Sequence, residues 1–243
     1  MAASEPGEGK TAVFLDHVTF AVRDLDEIVA QIEGKLGATF EAPTHTIPGI
    51  TGRVVALNGT FLEVMAVSDP EQASLSPFGQ KFVQYLEERG SGIFSATLCT
   101  NDLAGLQENL PEGVKNCGPI STWVPQPDGS KIHFSSLFFG QYHLMPWVIE
   151  YHSELPDIAI DMRLRSATIQ VSDLTTAVRH YRMVYGIPED RVQIADGTAR
   201  LELQDGFLQL KQAAPEGLSS IEIEAPGKTL RLSLDKDSVV FPD

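Results

Sequence analysis

Cysteine is nearly absent: the 243 residues hold two, Cys99 and Cys117. Two unpatterned thiols can neither staple a small secreted scaffold nor supply a zinc cluster, so a reducing, cytoplasmic setting is expected. Positive charge is scarce as well. Eighteen Lys and Arg stand against 33 Asp and Glu, a formal net charge of -15. Nucleic acids and anionic membranes need a basic face, so neither is an expected partner. No apolar run approaches membrane-spanning length. Met1 to Lys10 is small and acidic, without the basic start and apolar stretch of a secretory signal. Gly7-Glu8-Gly9-Lys10-Thr11 resembles the end of a phosphate loop, but Ser4 stands where that loop needs glycine, and no strand precedes it.

What remains is a chain with 42% hydrophobic content, enough to bury a sizeable core as one large domain or two small ones. Its organising feature is an internal repeat. Leu15-Asp16-His17-Val18-Thr19-Phe20-Ala21-Val22 runs into Asp24-Leu25, and the pattern returns before Asp102-Leu103 and Asp173-Leu174. Superposing the three Asp-Leu pairs places His17 on Ser95 and on Ser166. Downstream, Leu25, Ile28, Val29, Ile32 and Leu36 recur with helical period, as do Leu174, Ala177, Val178, Tyr181 and Tyr185. Each unit therefore reads as strand, helix, then several strands.

Strand alternation puts Phe14, Asp16, Val18, Phe20 and Val22 on one face, under a helix, and Leu15, His17, Thr19 and Ala21 on the other. Pro43 to Gly52 reads as a loop. Arg53 to Leu57 and Thr60 to Val67 form a hairpin around Asn58-Gly59, and Glu63 interrupts an otherwise apolar strand. Ser76-Pro77 opens a helix that stops at Gly90 and links the first repeat to the second. Asp102 to Leu110 is a short helical segment. Gly113 to Asp128 reads mostly as loop, and Lys131 to Phe139 and Trp147 to His152 as strands. By position within its repeat, Glu150 corresponds to Glu63. In the third repeat Gln209 takes the glutamate position, and Leu218 to Ala225, Thr229 to Leu234 and Ser238 to Phe241 form a degenerate fourth repeat without a helix. A boundary falls at Glu154 to Asp161, between a domain at 12–155 and a smaller C-terminal region at 162–243.

The segments Leu15-Asp16-His17-Val18 through Asp24-Leu25, Phe61-Leu62-Glu63-Val64 and Val148-Ile149-Glu150-Tyr151 resemble the vicinal oxygen chelate superfamily, and more closely its glyoxalase-like domains. The resemblance implies an α+β fold of repeated βαβββ modules, paired into a curved, cup-like mixed sheet with helices outside. It also implies metal ligands on the first and last strand of each paired module, at positions held here by His17, Glu63, Ser95 and Glu150. Three of the four can bind a metal. Ser166 and Gln209 are weak ligands, so a cup built by the third repeat is expected to lack a metal.

Imidazole and two carboxylates suit a divalent ion such as zinc, manganese, nickel or iron(II), and three protein ligands leave room for water or substrate. His152, His133 or His45 could complete the set. Each of these groups taken alone is an ordinary strand or loop residue, and His180 on its amphipathic helix reads as structural. Their shared position across repeats is what raises His17, Glu63 and Glu150 above that reading. The expected activity is that of a metal-dependent lyase or isomerase on a small oxygenated metabolite, with Glu63 or Glu150 as catalytic proton shuttle. A ring-cleaving dioxygenase fits less well, because such sites present two histidines and one carboxylate. The alternative is a metal-free protein that binds or sequesters a small molecule in the same cup. Modules can also pair between chains, so a homodimer is compatible with the pattern.

Overall fold

The computed structural model describes residues 12–41, 47–126, 129–155, 160–235 and 238–241. The first module is β1 (Val13–Val22), α1 (Leu25–Leu36), β2 (Ile50–Leu57) and β3 (Thr60–Val67). Two connecting helices follow, α2 (Pro70–Ala73) and α3 (Pro77–Arg89). The second module is β4 (Gly92–Thr100), α4 (Leu103–Glu108), β5 (Asn116–Pro125), β6 (Lys131–Phe139) and β7 (Trp147–Tyr151). The third is β8 (Arg163–Val171), α5 (Leu174–Val184), β9 (Val192–Ala195), β10 (Thr198–Glu202) and β11 (Phe207–Gln212). A fourth set, β12 (Gly217–Ala225), β13 (Lys228–Asp235) and β14 (Ser238–Val240), has no helix among the described residues.

The repeated Asp is what starts each module's helix. Asp24, Asp102 and Asp173 all occupy the N-cap, where their side chains accept the backbone N–H of Glu27, Gly105 and Thr176. α1 ends at Gly37, whose φ of 69° is the left-handed conformation that glycine adopts without strain. Its Ile28 and Ile32 are fully buried, each worth about 1.5–3 kcal/mol relative to exposure.

Modules pair within the chain into two seven-stranded mixed sheets. The first has the order β2-β3-β1-β4-β7-β6-β5, the second β14-β13-β12-β8-β11-β10-β9. In both, the first strand of a module runs parallel to its last and antiparallel to the next module's first strand. The registers coincide: His17 lies beside Phe61, and its counterpart Ser166 beside Phe207. The helix sides of both sheets share one apolar core, in which Val18, Phe20 and Leu98 of the first sheet join Ala167, Ile169 and Ile221 of the second. Backbone bonds stitch the sheets at one end, from Asn58 N to Met162 O and from Gln204 N to Val13 O.

One feature departs from the sequence reading. The stretch expected to be mostly loop at 113–128 contains β5. It is an edge strand with eight of its ten residues exposed, so it lacks the alternation that marks a half-buried strand. The helix α3 lies across the opposite side of the first sheet from the shared core. There Phe82, Tyr85 and Leu86 pack with Ala21, Met65 and Phe94 in a second, smaller apolar cluster. The cup is therefore closed at one end by a helix between modules.

Candidate active site

A β-bulge creates the site. β1 and β4 pair Leu15 with Leu98 and His17 with Thr97, so Asp16 is an extra residue on β1. A bulge of this kind bends the strand and re-aims side chains. Leu15 consequently joins Val18 and Phe20 in the shared core, and Asp16 contacts His17 and Tyr151 instead of packing beside Val18. This corrects the uninterrupted alternation, which placed Leu15 with His17 and Asp16 with Val18.

Asp16 Oδ2 and His17 Nδ1 lie 2.5 Å apart. The ring's other nitrogen, Nε2, lies 2.9 Å from Thr97 Oγ1, and the tautomer in which the Asp16 carboxylate accepts the Nδ1 proton leaves Nε2 to accept from that hydroxyl. Asp16 Oδ2 also accepts from the Tyr151 hydroxyl at 3.1 Å. Burial, and then the Asp16 carboxylate, push the Tyr151 phenol far above its ordinary value, so it remains a donor. Burial chiefly, with a contribution from Asp16, likewise keeps Cys99 a neutral thiol. The His17 ring stacks on Phe61 at 4.1 Å between centroids and meets Trp147 edge-on at 5.5 Å.

Glu63 stands beside Thr19 in the β1–β3 register, and Thr19 Oγ1 donates to its Oε2 at 2.9 Å. Asp16, His17 and Glu63 are all at most 5% exposed. Ionisable groups are rarely buried at such density without a chemical purpose, because desolvating them is costly.

The structure brings His17 and Glu63 to the same face and sends Glu150 to the other. In β7, Trp147 and Tyr151 face the cup, whereas Glu150 shares its side with Val148, which lies in the shared core. Glu150 Oε2 accepts the backbone N–H of Leu103, the first residue of α4. The register explains the difference. Trp147 pairs with Thr97 as Glu63 pairs with Thr19, so Trp147, not Glu150, is the structural counterpart of Glu63. Ser95 is in the cup and 1% exposed. His152 bonds Ser135 on the side away from the cup, and His133 stands opposite exposed Trp123. His45 lies outside the described residues. Among the described residues, no three His, Cys, Asp or Glu side chains gather into a group able to hold a metal ion.

The second sheet has its own polar face, where several groups pair with one another. Ser166 donates to Glu222, Arg231 donates twice to Ser220, and Arg200 lies over Phe207 and bonds Glu202.

Residues 15–189 match the model of the glyoxalase-like domain. The chain belongs to that family. No curated protein matches it in sequence. Among solved structures, this glyoxalase-like chain is similar to a hypothetical protein from Staphylococcus aureus, with a TM-score of 0.73 and 14% identity over 94% of this chain and 98% of that one. It is also similar to a mutant of 4-hydroxymandelate synthase from Streptomyces coelicolor, with a TM-score of 0.56 and 14% identity over 82% of this chain and 62% of that one. Methylmalonyl-CoA epimerase from Mycobacterium tuberculosis aligns with 57% of this chain and 86% of its own, at a TM-score of 0.40 and 22% identity. At these identities the likeness is one of fold. Among the described residues, no helix is long and apolar enough to cross a membrane.

Proposed function

We propose that this glyoxalase-like chain is an enzyme of the lyase or isomerase type that moves a proton on a small oxygenated metabolite bound in the first cup, with His17 as the proton-transferring base. The observation that carries this reading is the Asp16–His17 pair, buried and directed into the cup by the β1 bulge. A carboxylate on Nδ1 fixes the ring's orientation and tautomer and stabilises the imidazolium that forms.

The step balances on the chain's own groups. His17 Nε2, released from Thr97, takes a proton from a carbon next to a carbonyl. The C–H bond breaks, an N–H bond forms, and the electron pair moves onto the carbonyl oxygen as an enolate. Return of the proton to another position gives the isomer, and loss of a leaving group at the neighbouring carbon gives the lyase product. Glu63, on the same face with Thr19 on Oε2, is the second proton carrier.

The metal-dependent version of this chemistry would place zinc, manganese, nickel or iron(II) on His17 and Glu63. That is two strong protein donors where three were expected, with Glu150 engaged at α4. This donor set does not fit a three-ligand centre. A second reading, a metal-free binding protein, is supported by the aromatic wall, where Phe138 stacks on Trp147 at 4.8 Å.

Incorporation of solvent deuterium separates the two. Small ketones, 2-hydroxyketones and 2-oxo acids are incubated with the protein in D2O and followed by proton NMR. Enzyme-dependent wash-in at a carbon next to a carbonyl, abolished in His17→Gln, is the expected result. Binding without wash-in for any member would leave only the binding protein.

A further inference from the structure

We infer that the cup selects an uncharged, flat molecule carrying oxygen acceptors, and discriminates against carboxylates and phosphates. The inference rests on the first cup as the ligand site and names what that site takes.

Three buried polar atoms on this face have no hydrogen-bond partner among the described residues: Ser95 Oγ, Ser136 Oγ and Trp147 Nε1. Ser95 and Ser136 are 1% and 2% exposed. Buried polar groups are paired in the great majority of cases, so three on one face call for a partner from outside the chain. They sit on three adjacent strands, β4, β7 and β6, with Trp147 on the middle one. The indole nitrogen can only donate, so the group it meets must be an acceptor.

The fold itself does not require such a serine to go unpaired. Ser220 holds the position in the second sheet that Ser95 holds in the first: Ser95 pairs with Thr19, and Ser220 with Thr168, the Thr19 counterpart. Ser220 receives the Arg231 guanidinium at 3.0 and 3.2 Å. Among the described residues, no guanidinium bonds Ser95 in the first cup.

Shape and charge narrow the class. Phe61, Phe138 and Trp147 are half-buried rings, open enough on one side for a planar body to lie against them. Asp16 and Glu63 put two carboxylates on the cup. Among the described residues, the strand positions facing it on β1, β3, β4, β6 and β7 include no Lys or Arg. At those strand positions an anionic ligand would meet like charge with no cation beside it, in a setting where screening by salt is weak. A carbonyl, lactone or ether oxygen meets the three donors without that penalty.

The test follows the Trp147 indole N–H by NMR in protein labelled with 15N-tryptophan. The chain has two tryptophans, and Trp123→Phe, on the exposed face, assigns the remaining peak to Trp147. The probes are two matched pairs, coumarin with coumarin-3-carboxylate and chromone with chromone-2-carboxylate. We expect the neutral member of at least one pair to move the indole peak saturably and to bind at least tenfold more tightly than its carboxylate. Ser95→Ala and Ser136→Ala should each weaken that binding several-fold. A carboxylate that binds as tightly as its neutral partner overturns the inference, and so does an indole peak that neither neutral probe moves. The readout is binding, so neutral selectivity without deuterium wash-in would uphold this inference while removing the proton-transfer reading. Wash-in on 2-oxo acids with no neutral selectivity would do the reverse.

Discussion

Tyr151 and His17 share one acceptor: the phenol hydroxyl and imidazole Nδ1 both reach Oδ2 of Asp16, at 3.1 and 2.5 Å. They arrive from β7 and β1, in different modules, so the carboxylate that orients the imidazole is itself held from across the cup. Asp16→Asn replaces that acceptor with a group able to present N–H to Nδ1, which favours the wrong tautomer. Deuterium wash-in should fall about 10²–10⁴-fold, with the melting temperature close to wild type. Tyr151→Phe leaves the dyad intact and should cost about tenfold. Rates for both variants on one substrate check the order.

Glu150 is a structural residue on this account. Its carboxylate caps the start of α4 through Leu103 N, an interaction worth about 0.5–2 kcal/mol at a helix N-terminus. Glu150→Gln should lower the melting temperature by roughly 1–6 °C and leave wash-in unchanged. A large loss of activity at wild-type stability would instead place Glu150 in the chemistry.

Metal loading separates the two donor sets. Protein made without an affinity tag, incubated with Zn2+, Mn2+, Ni2+ or Fe2+ and then dialysed, should retain well below one ion per chain, and His17→Ala should retain no less. One ion per chain, lost in both His17→Ala and Glu63→Ala and kept in Glu150→Gln, would establish a centre on two protein donors.

His143 provides a pH-dependent contact between the sheets. Its Nε2 lies 3.3 Å from Arg89 Nη2, Arg89 Nη1 donates to Glu216 O, and the Tyr85 ring is alongside. Burial, then the Arg89 charge, lower the His143 value below 6.5, against smaller upward pulls from Glu216 and Glu88. With the folded value depressed, the unfolded chain binds more protons in the window just below 6.5. Stability is therefore fully present above that pH and lost as pH falls towards the folded value. Melting temperatures from pH 7.5 to 5.5 should decline in the wild type and decline less in His143→Gln. Equal slopes would contradict the assignment.

Most of the architecture was legible because its signals are local. Asp24, Asp102 and Asp173 mark the three helix starts, and the Asn58-Gly59 turn fixes the hairpin that carries Glu63. His17 and Glu63 fell on one face because parity holds from His17 to Phe20. Asp16 was missed because an inserted residue in the β1–β4 ladder exists only in the pairing of two strands about 80 residues apart, not in either strand alone. Order along the chain matches Glu150 to Glu63, whereas the ladder aligns Trp147 with it. That the Trp147 indole and the Ser136 hydroxyl are buried without a hydrogen-bond partner among the described residues is a property of the packed fold, which no single strand's sequence carries.

The most direct test is the protonation pattern of His17. In protein labelled with 15N-histidine, with the His17 signals assigned through His17→Gln, the account predicts a neutral ring carrying its proton on Nδ1. That proton should be strongly hydrogen-bonded, protected from solvent exchange and lost in Asp16→Asn. A ring protonated on Nε2, or a Nδ1 proton that exchanges as fast as a surface histidine's, would contradict it.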